Sequence, residues 1–224
     1  MNMKRVVTTA DGSKTLFDPE SGENYHSKHG AVGESKHVFI GMGLKHVVEA
    51  LGVQHPRIFE VGFGTGLNFL LSANWAMQSG VSMDYYAVEV APISLETLTE
   101  LHYKELVSTS LWYDFKIHYD LIFNELTSIN SSINLKVFVQ QIQSMNASLE
   151  VDVVFFDAFS ATHQPEMWTP EILSQVIGYL RSGGIFVTYS ITGELKRCLK
   201  SLGCTIEKLP GAPGKREMLR ATKL

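Results

Sequence analysis

The run Glu60-Val61-Gly62-Phe63-Gly64-Thr65-Gly66-Leu67-Asn68 carries the densest chemical signal in the chain. A short strand-like segment, Arg57 to Val61, leads into it and a helix-like segment, Leu67 to Gln78, leaves it. That is the place of a nucleotide-binding loop between a first strand and its helix. The spacing is G-x-G-x-G, not the dinucleotide pattern G-x-G-x-x-G. A pyrophosphate needs the free N–H groups of a helix N-terminus, whereas a ligand without phosphate needs glycines chiefly so that backbone can come close. S-adenosylmethionine is such a ligand, and Glu60 is a carboxylate suited to its ammonium. A second strand, Tyr85 to Val90, carries Glu89, placed 23 residues beyond Gly66. From there an acid accepts both ribose hydroxyls. Three glycines alone fit equally a tight turn beside an unrelated surface glutamate. The order strand, glycines, helix, strand, acid favours a cofactor.

A second constellation lies at Asp157-Ala158-Phe159-Ser160, followed by Gln164-Pro165-Glu166-Met167-Trp168. Open α/β sheets bind ligands beyond the carboxyl ends of their strands, so Asp157 is expected beside the cofactor. A carboxylate that holds an amine, next to a ring that stacks on a planar substrate, suits methyl transfer to nitrogen. The same residues read equally well as a turn aspartate and a core phenylalanine. His26, His29, His37 and His46 lack the cysteine or carboxylate company of a metal centre and are expected to be surface or packing residues. No metal is expected. Trp75 and Trp112 are expected in packing roles.

These residues need a scaffold. With 224 residues, 45% hydrophobic and 19% charged, the composition is that of a folded chain, neither disordered nor collagen-like. The charge-free stretch Leu67 to Met83 is interrupted by Asn, Ser, Trp, Gln and Gly, which argues against a membrane span. Lys4 and Arg5 precede only two strongly apolar residues, so no signal peptide is expected. Two cysteines, Cys198 and Cys204, form neither a disulfide framework nor a zinc site, and the reducing cytoplasm is the expected compartment. Residues 195–224 hold eight basic and two acidic residues, either a solvated terminus or a patch for a polyanion.

Along the chain, residues 1–33 read as an appendage with a hairpin from Arg5 to Phe17 turning at Asp11-Gly12. Residues 34–224 read as the main domain. Helices are predicted over Glu34 to Leu51, Leu67 to Gln78, Ile93 to Val107 after Pro92, Pro170 to Leu180 and Glu194 to Leu202. Strands are predicted over 57–61, 85–90, 135–140, 151–157, 185–190, 205–209 and 217–222. Alternation of this kind means an α/β class with a doubly wound, mostly parallel, seven-stranded sheet.

Further segments carry a resemblance. Tyr25-His26-Ser27, Gly30, Glu34-Ser35-Lys36-His37-Val38-Phe39, Glu60 to Phe69, Asp157 to Trp168, Gly183-Gly184 and Gly214-Lys215-Arg216-Glu217-Met218 resemble the methyltransferase half of the bacterial bifunctional MnmC family. The resemblance implies a class I methyltransferase fold, S-adenosylmethionine as cofactor, and conversion of 5-aminomethyluridine to 5-methylaminomethyluridine at the tRNA wobble position, with or without 2-thiolation. It implies that Glu60, Gly62, Phe63, Gly64, Thr65, Gly66, Asn68 and Glu89 serve the cofactor and that Asp157 sits near the transferred methyl. Tyr25, Ser27, Phe159 and Trp168 are expected at the substrate, and Lys215 and Arg216 on the phosphates of an anticodon loop. Where the family often ends its third strand in glycine-aspartate, this chain has Gln140-Gln141. Gln141 can accept a hydrogen bond from the cofactor but cannot carry charge. The family's flavin-dependent oxidase half has no counterpart here, so a separate oxidoreductase is the expected source of the aminomethyl precursor. Competing expectations on the same fold are an aminopropyltransferase, a small-molecule N-methyltransferase, or a non-catalytic cofactor or RNA binder.

Overall fold

The computed structural model describes residues 4–224. Strands β1 (Arg5–Thr8) and β2 (Lys14–Asp18) form the expected hairpin, with Gly12 in the left-handed region at its turn. A two-residue strand, β3 (Glu23–Asn24), extends it to a small antiparallel sheet. The first helix starts earlier than its apolar pattern indicated. A single turn, α1 (Ala31–Glu34), runs directly into a wide π-type helix over Ser35–Ala50. Gly43 lets this helix lie on the sheet. A Cβ there would fall 2.8 Å from the Phe155 ring and 3.1 Å from Val187.

The main sheet is built from β4 (Arg57–Val61), β5 (Met83–Glu89), β6 (Thr127–Ser128), β7 (Ile133–Val139), β8 (Val151–Phe156), β9 (Leu180–Thr188), β10 (Cys204–Pro210) and β11 (Glu217–Lys223). Its order is β10-β11-β9-β8-β4-β5-β7-β6. The five strands β9, β8, β4, β5 and β7 pair in parallel, while β11, β10 and β6 pair antiparallel. The sheet therefore has eight strands rather than seven. The extra one is the two-residue β6, too short to leave a periodic signal. β8 is buried along its whole length, as a continuous apolar run between two helical layers demands.

Helix α2 (Leu67–Ser79) follows β4, closed by left-handed Gly80. The predicted helix over 93–107 is shorter and broken. α3 (Leu95–Glu100) begins not at Ile93 but after Ser94, whose side chain accepts the Thr97 N–H, and left-handed His102 ends the run. α4 (Thr109–His118), capped by Ser108, was not foreseen, because its Trp112, Tyr113 and Phe115 blur the apolar stripe. α5 (Pro170–Gly178) and α6 (Gly193–Ser201) cover the other face. Trp112 is buried and Trp75 packs against the core. No described helix is long and apolar enough to cross a membrane.

Two core clusters thus sandwich the sheet, and the strand order reverses between β4 and β8, where a crevice opens at the carboxyl ends. Gly43→Val is expected to lower stability by about 1–3 kcal/mol through overpacking against Phe155, read as a reduced urea midpoint. An unchanged midpoint would mean that the helix does not seat on β8 and β9 as described.

Candidate active site

The loop after β4 is pinned on both sides. The N–H groups of Gly62 and Phe63 donate to the Val88 carbonyl of β5, and the Asp157 N–H donates to Val61. Gly62 is required here: its φ is +89°, and a Cβ would sit 2.9 Å from the Asp157 carbonyl. Only a residue without a side chain lets these two chain ends approach.

Beyond the strand ends lies a cavity of about 530 Å³, lined by Gly62, Phe63, Gly64, Glu89, Gln141 and Asp157 among others. Glu89 ends β5 with its carboxylate already oriented. Oε2 accepts the Gly64 N–H at 2.9 Å and Oε1 the Ala91 N–H at 2.9 Å. Each oxygen keeps a further lone pair for a ligand hydroxyl. Val88, Val90 and Ile142 supply apolar wall.

A second cavity of about 360 Å³ adjoins the first. Tyr25, His26, Asp157, Ala158 and Phe159 belong to both linings. The second is walled by the rings of Tyr25, Phe159 and Tyr189 and by the carboxylates of Glu23, Glu34 and Asp157, with Ser27, Lys28 and Lys215 also present. Tyr25 and Phe159 meet edge to face, centroids 5.3 Å apart. Glu23 fixes the loop after β8 by accepting the Ser160 N–H at 3.1 Å, and His163 lies 3.2 Å from the same oxygen.

Asp157 is half-buried, and its carboxyl is raised to about 8, first by desolvation and then by the charge of Glu34. The Asn68 amide and Lys215 pull in the opposite direction. Asn68 Nδ2 donates at 2.8 Å both to Asp157 Oδ2 and to Glu60 Oε1, and its Oδ1 accepts from Ser35 Oγ at 2.5 Å. Desolvation also raises Glu60 well above the usual carboxylate range. His26 is held neutral, lowered by desolvation to about 4, with Nδ1 2.8 Å from Thr15 Oγ1.

Several expected site residues face elsewhere. Glu60 is fully buried and lines neither cavity, because Asn68 occupies its Oε1 behind the loop. Its Oε2 and the neighbouring Tyr85 hydroxyl lack a hydrogen bond of ordinary geometry. Thr65 turns into the core, its Oγ1 2.9 Å from the Tyr103 hydroxyl. Gly66 packs under the Phe63 ring. Asn68 reaches the site only through the two carboxylates it bridges. Trp168 donates its indole N–H to the Phe159 carbonyl at 2.8 Å, and so holds the loop rather than lining a cavity. Lys215 turns inward, 3.3 Å from Glu34, while Arg216 is exposed. The basic terminus is partly spent internally: Arg220 forms a two-bond pair with Glu207, and Lys223 donates to Leu180 O. Glu34 and Tyr189 had not been singled out for the site. An acid at the first position of the predicted helix over 34–51 is the signal for Glu34, and a position just past the end of a parallel strand is that for Tyr189.

Residues 109–224 match the family model for S-adenosyl-L-methionine-dependent methyltransferases. The chain belongs to this family. Over 96% of its length the methyltransferase is 30% identical to a tRNA 5-methylaminomethyl-2-thiouridine biosynthesis bifunctional protein MnmC of Aromatoleum aromaticum, and over 94% it is 28% identical to the protein of that name from an Azoarcus species. It spans only 35% and 34% of those proteins. The crystal structure of MnmC2 from Aquifex aeolicus superposes with a TM-score of 0.76 at 26% identity, over 99% of this chain and 71% of that one. The sheet is accordingly that of a class I methyltransferase.

The cofactor is S-adenosylmethionine, and the larger cavity fits it. Its volume lies in the usual range for such ligands of about 300–1,000 Å³. Glu89 presents oriented acceptors for a diol, and the paired acids behind the loop favour a cation. A cation binding beside a carboxyl that would otherwise hold a proton releases that proton, so binding tightens with rising pH. The dissociation constant for S-adenosylmethionine is expected to fall from about pH 5.5 to about pH 7, by at most about tenfold per unit for one proton released. Asp157→Asn is expected to flatten the slope, as measured by calorimetry in buffers of different ionisation heat. A slope untouched by the substitution would separate Asp157 from the cofactor's charge.

Proposed function

We propose that the methyltransferase moves the methyl group of S-adenosylmethionine onto the exocyclic amine of 5-aminomethyluridine, or its 2-thio form, at the tRNA wobble position. The product is 5-methylaminomethyluridine. The observation that carries the reading is the pair of cavities sharing Asp157. One suits the cofactor. The other offers aromatic walls for a planar base and carboxylates for an amine. The bifunctional relatives, named for biosynthesis of 5-methylaminomethyl-2-thiouridine in tRNA, support the same product.

Bound in the larger cavity, the cofactor supplies an electrophilic methyl on its sulfonium. The protein's own residues do the rest. Phe159, Tyr25 and Tyr189 sandwich the base, and Glu34 and Asp157 hold the amine at the junction. Asp157 accepts the proton that nitrogen loses on becoming secondary. A free alkyl amine of pKa about 10.4 would cost about 4–5 kcal/mol to present neutral at pH 7, and desolvation lowers that cost. Placing nucleophile and methyl across one shared wall supplies most of the acceleration. Lys28 and Arg216, exposed, are suited to anticodon-loop phosphates. In this reading the protein works in the cytoplasm, and an oxidoreductase furnishes the aminomethyl acceptor.

Asp157→Ala is expected to lower kcat by about 10²-fold or more while weakening the cofactor at pH 7 by no more than the fall in dissociation constant that the unaltered protein shows between about pH 5.5 and about pH 7. Nucleoside mass spectrometry of tRNA carrying 5-aminomethyluridine reads the first quantity and calorimetry the second. Equal loss of both in a folded variant would move Asp157 to the cofactor site. Methylation of free small amines but no tRNA would favour a small-molecule enzyme.

A further inference from the structure

Lys215 lies where a purely phosphate-binding lysine would not. Its loop, between β10 and β11, is seated tightly. A Cβ at Gly211 would fall 2.4 Å from the Lys215 carbonyl, and one at Gly214, whose φ is +86°, would fall 2.4 Å from the His29 ring. The Lys215 N–H closes the turn on Ala212 O at 2.8 Å. The side chain, 33% exposed, places Nζ 3.3 Å from Glu34 Oε1 and 3.6 Å from the centroid of the Tyr189 ring. Glu34 is itself buried, with Oε2 taken by the Ser27 N–H at 3.0 Å and Oε1 without another partner.

Charged and titratable groups face this ammonium from every side of the second cavity. Glu34 comes from α1, Asp157 from the end of β8 and Tyr189 from the end of β9. Glu23, Tyr25, His26, Lys28 and His29 come from β3 and the segment after it. Three are carboxylates, and Lys28 points to solvent. Lys215 is therefore the inward-facing cation among them.

Resting on the function proposed above, we infer that Lys215 is a positioning residue for methyl transfer. Fixed between Glu34 and the face of Tyr189, its charge offsets the carboxylates, so that the acceptor nitrogen is presented as a free amine and Asp157 as a carboxylate. The electrostatics run one way for both groups. A neighbouring cation disfavours a second ammonium and favours an anion, so each releases its proton at lower pH. The pull of Lys215 on the Asp157 carboxyl has that sign. Glu34 has the opposite influence.

The test is the pH dependence of kcat/KM for methylation of an anticodon stem-loop bearing 5-aminomethyluridine. Lys215→Met is expected to displace the acidic limb upward by about one pH unit, hence about tenfold less activity below the limb. Lys215→Arg is expected to bring the limb back toward its original position. Glu34→Gln is expected to move it downward. Calorimetric binding of S-adenosylmethionine, similar in all three, establishes that each variant is folded. A limb unmoved in Lys215→Met, or a pH-independent rise in KM alone, would overturn the inference and return Lys215 to phosphate contact. If the unaltered protein methylates no 5-aminomethyluridine, the function itself is wrong and this inference falls with it.

Discussion

Two carboxylates, Glu60 and Asp157, are held close together in a poorly solvated place, and a single amide makes that arrangement tolerable. Asn68 donates one hydrogen to each, and Ser35 fixes its oxygen, so the amide cannot turn away. Burial raises both groups, and a like charge adds to it in each case, Asp157 acting on Glu60 and Glu34 acting on Asp157. A positive ligand is thus favoured at the switch point of the sheet. Without Asn68 the two acids would be buried with too few donors, a costly state.

The surrounding fold serves this constraint. α2 delivers Asn68 from one side, β4 brings Glu60 from below, and β8 brings Asp157 alongside, with Gly62 allowing the approach of the two chain ends. The small N-terminal sheet contributes the outer wall. Tyr25 covers Gly64, and Glu23 ties down the loop after Asp157. Rings and carboxylates then divide the crevice into two chambers with one common wall. A geometry of this kind suits transfer between two ligands that never exchange places.

Much of this was legible in the residues. The alternation of strands and helices and the glycine run located the crevice, because both depend on local pattern. Glu89 and Gln141 were expected at the cofactor and Tyr25, Ser27 and Phe159 at the substrate, and these five line the two cavities, whereas Lys215 was expected on anticodon-loop phosphates. What stayed hidden depends on contacts distant in sequence. Glu60 faces Asn68 rather than open space, Trp168 spends its indole N–H on a carbonyl, and Lys215 bends toward Glu34. Spacing reports which residues sit at a strand's end, but not which neighbour has already claimed their polar atoms. α4 and β6 escaped for a simpler reason: one mixes aromatic and polar positions, and the other has two residues.

The central claim is that the methyl donor occupies the larger chamber with its reactive end at the Asp157 wall. A crystal structure with S-adenosylmethionine or its demethylated product tests it most directly. The expected result is a ribose on Glu89, a sulfur beside Asp157, and a free path from that sulfur into the chamber bounded by Glu34 and Tyr189. A ligand seated with its sulfur turned from Asp157, or occupying the smaller chamber, would contradict the account.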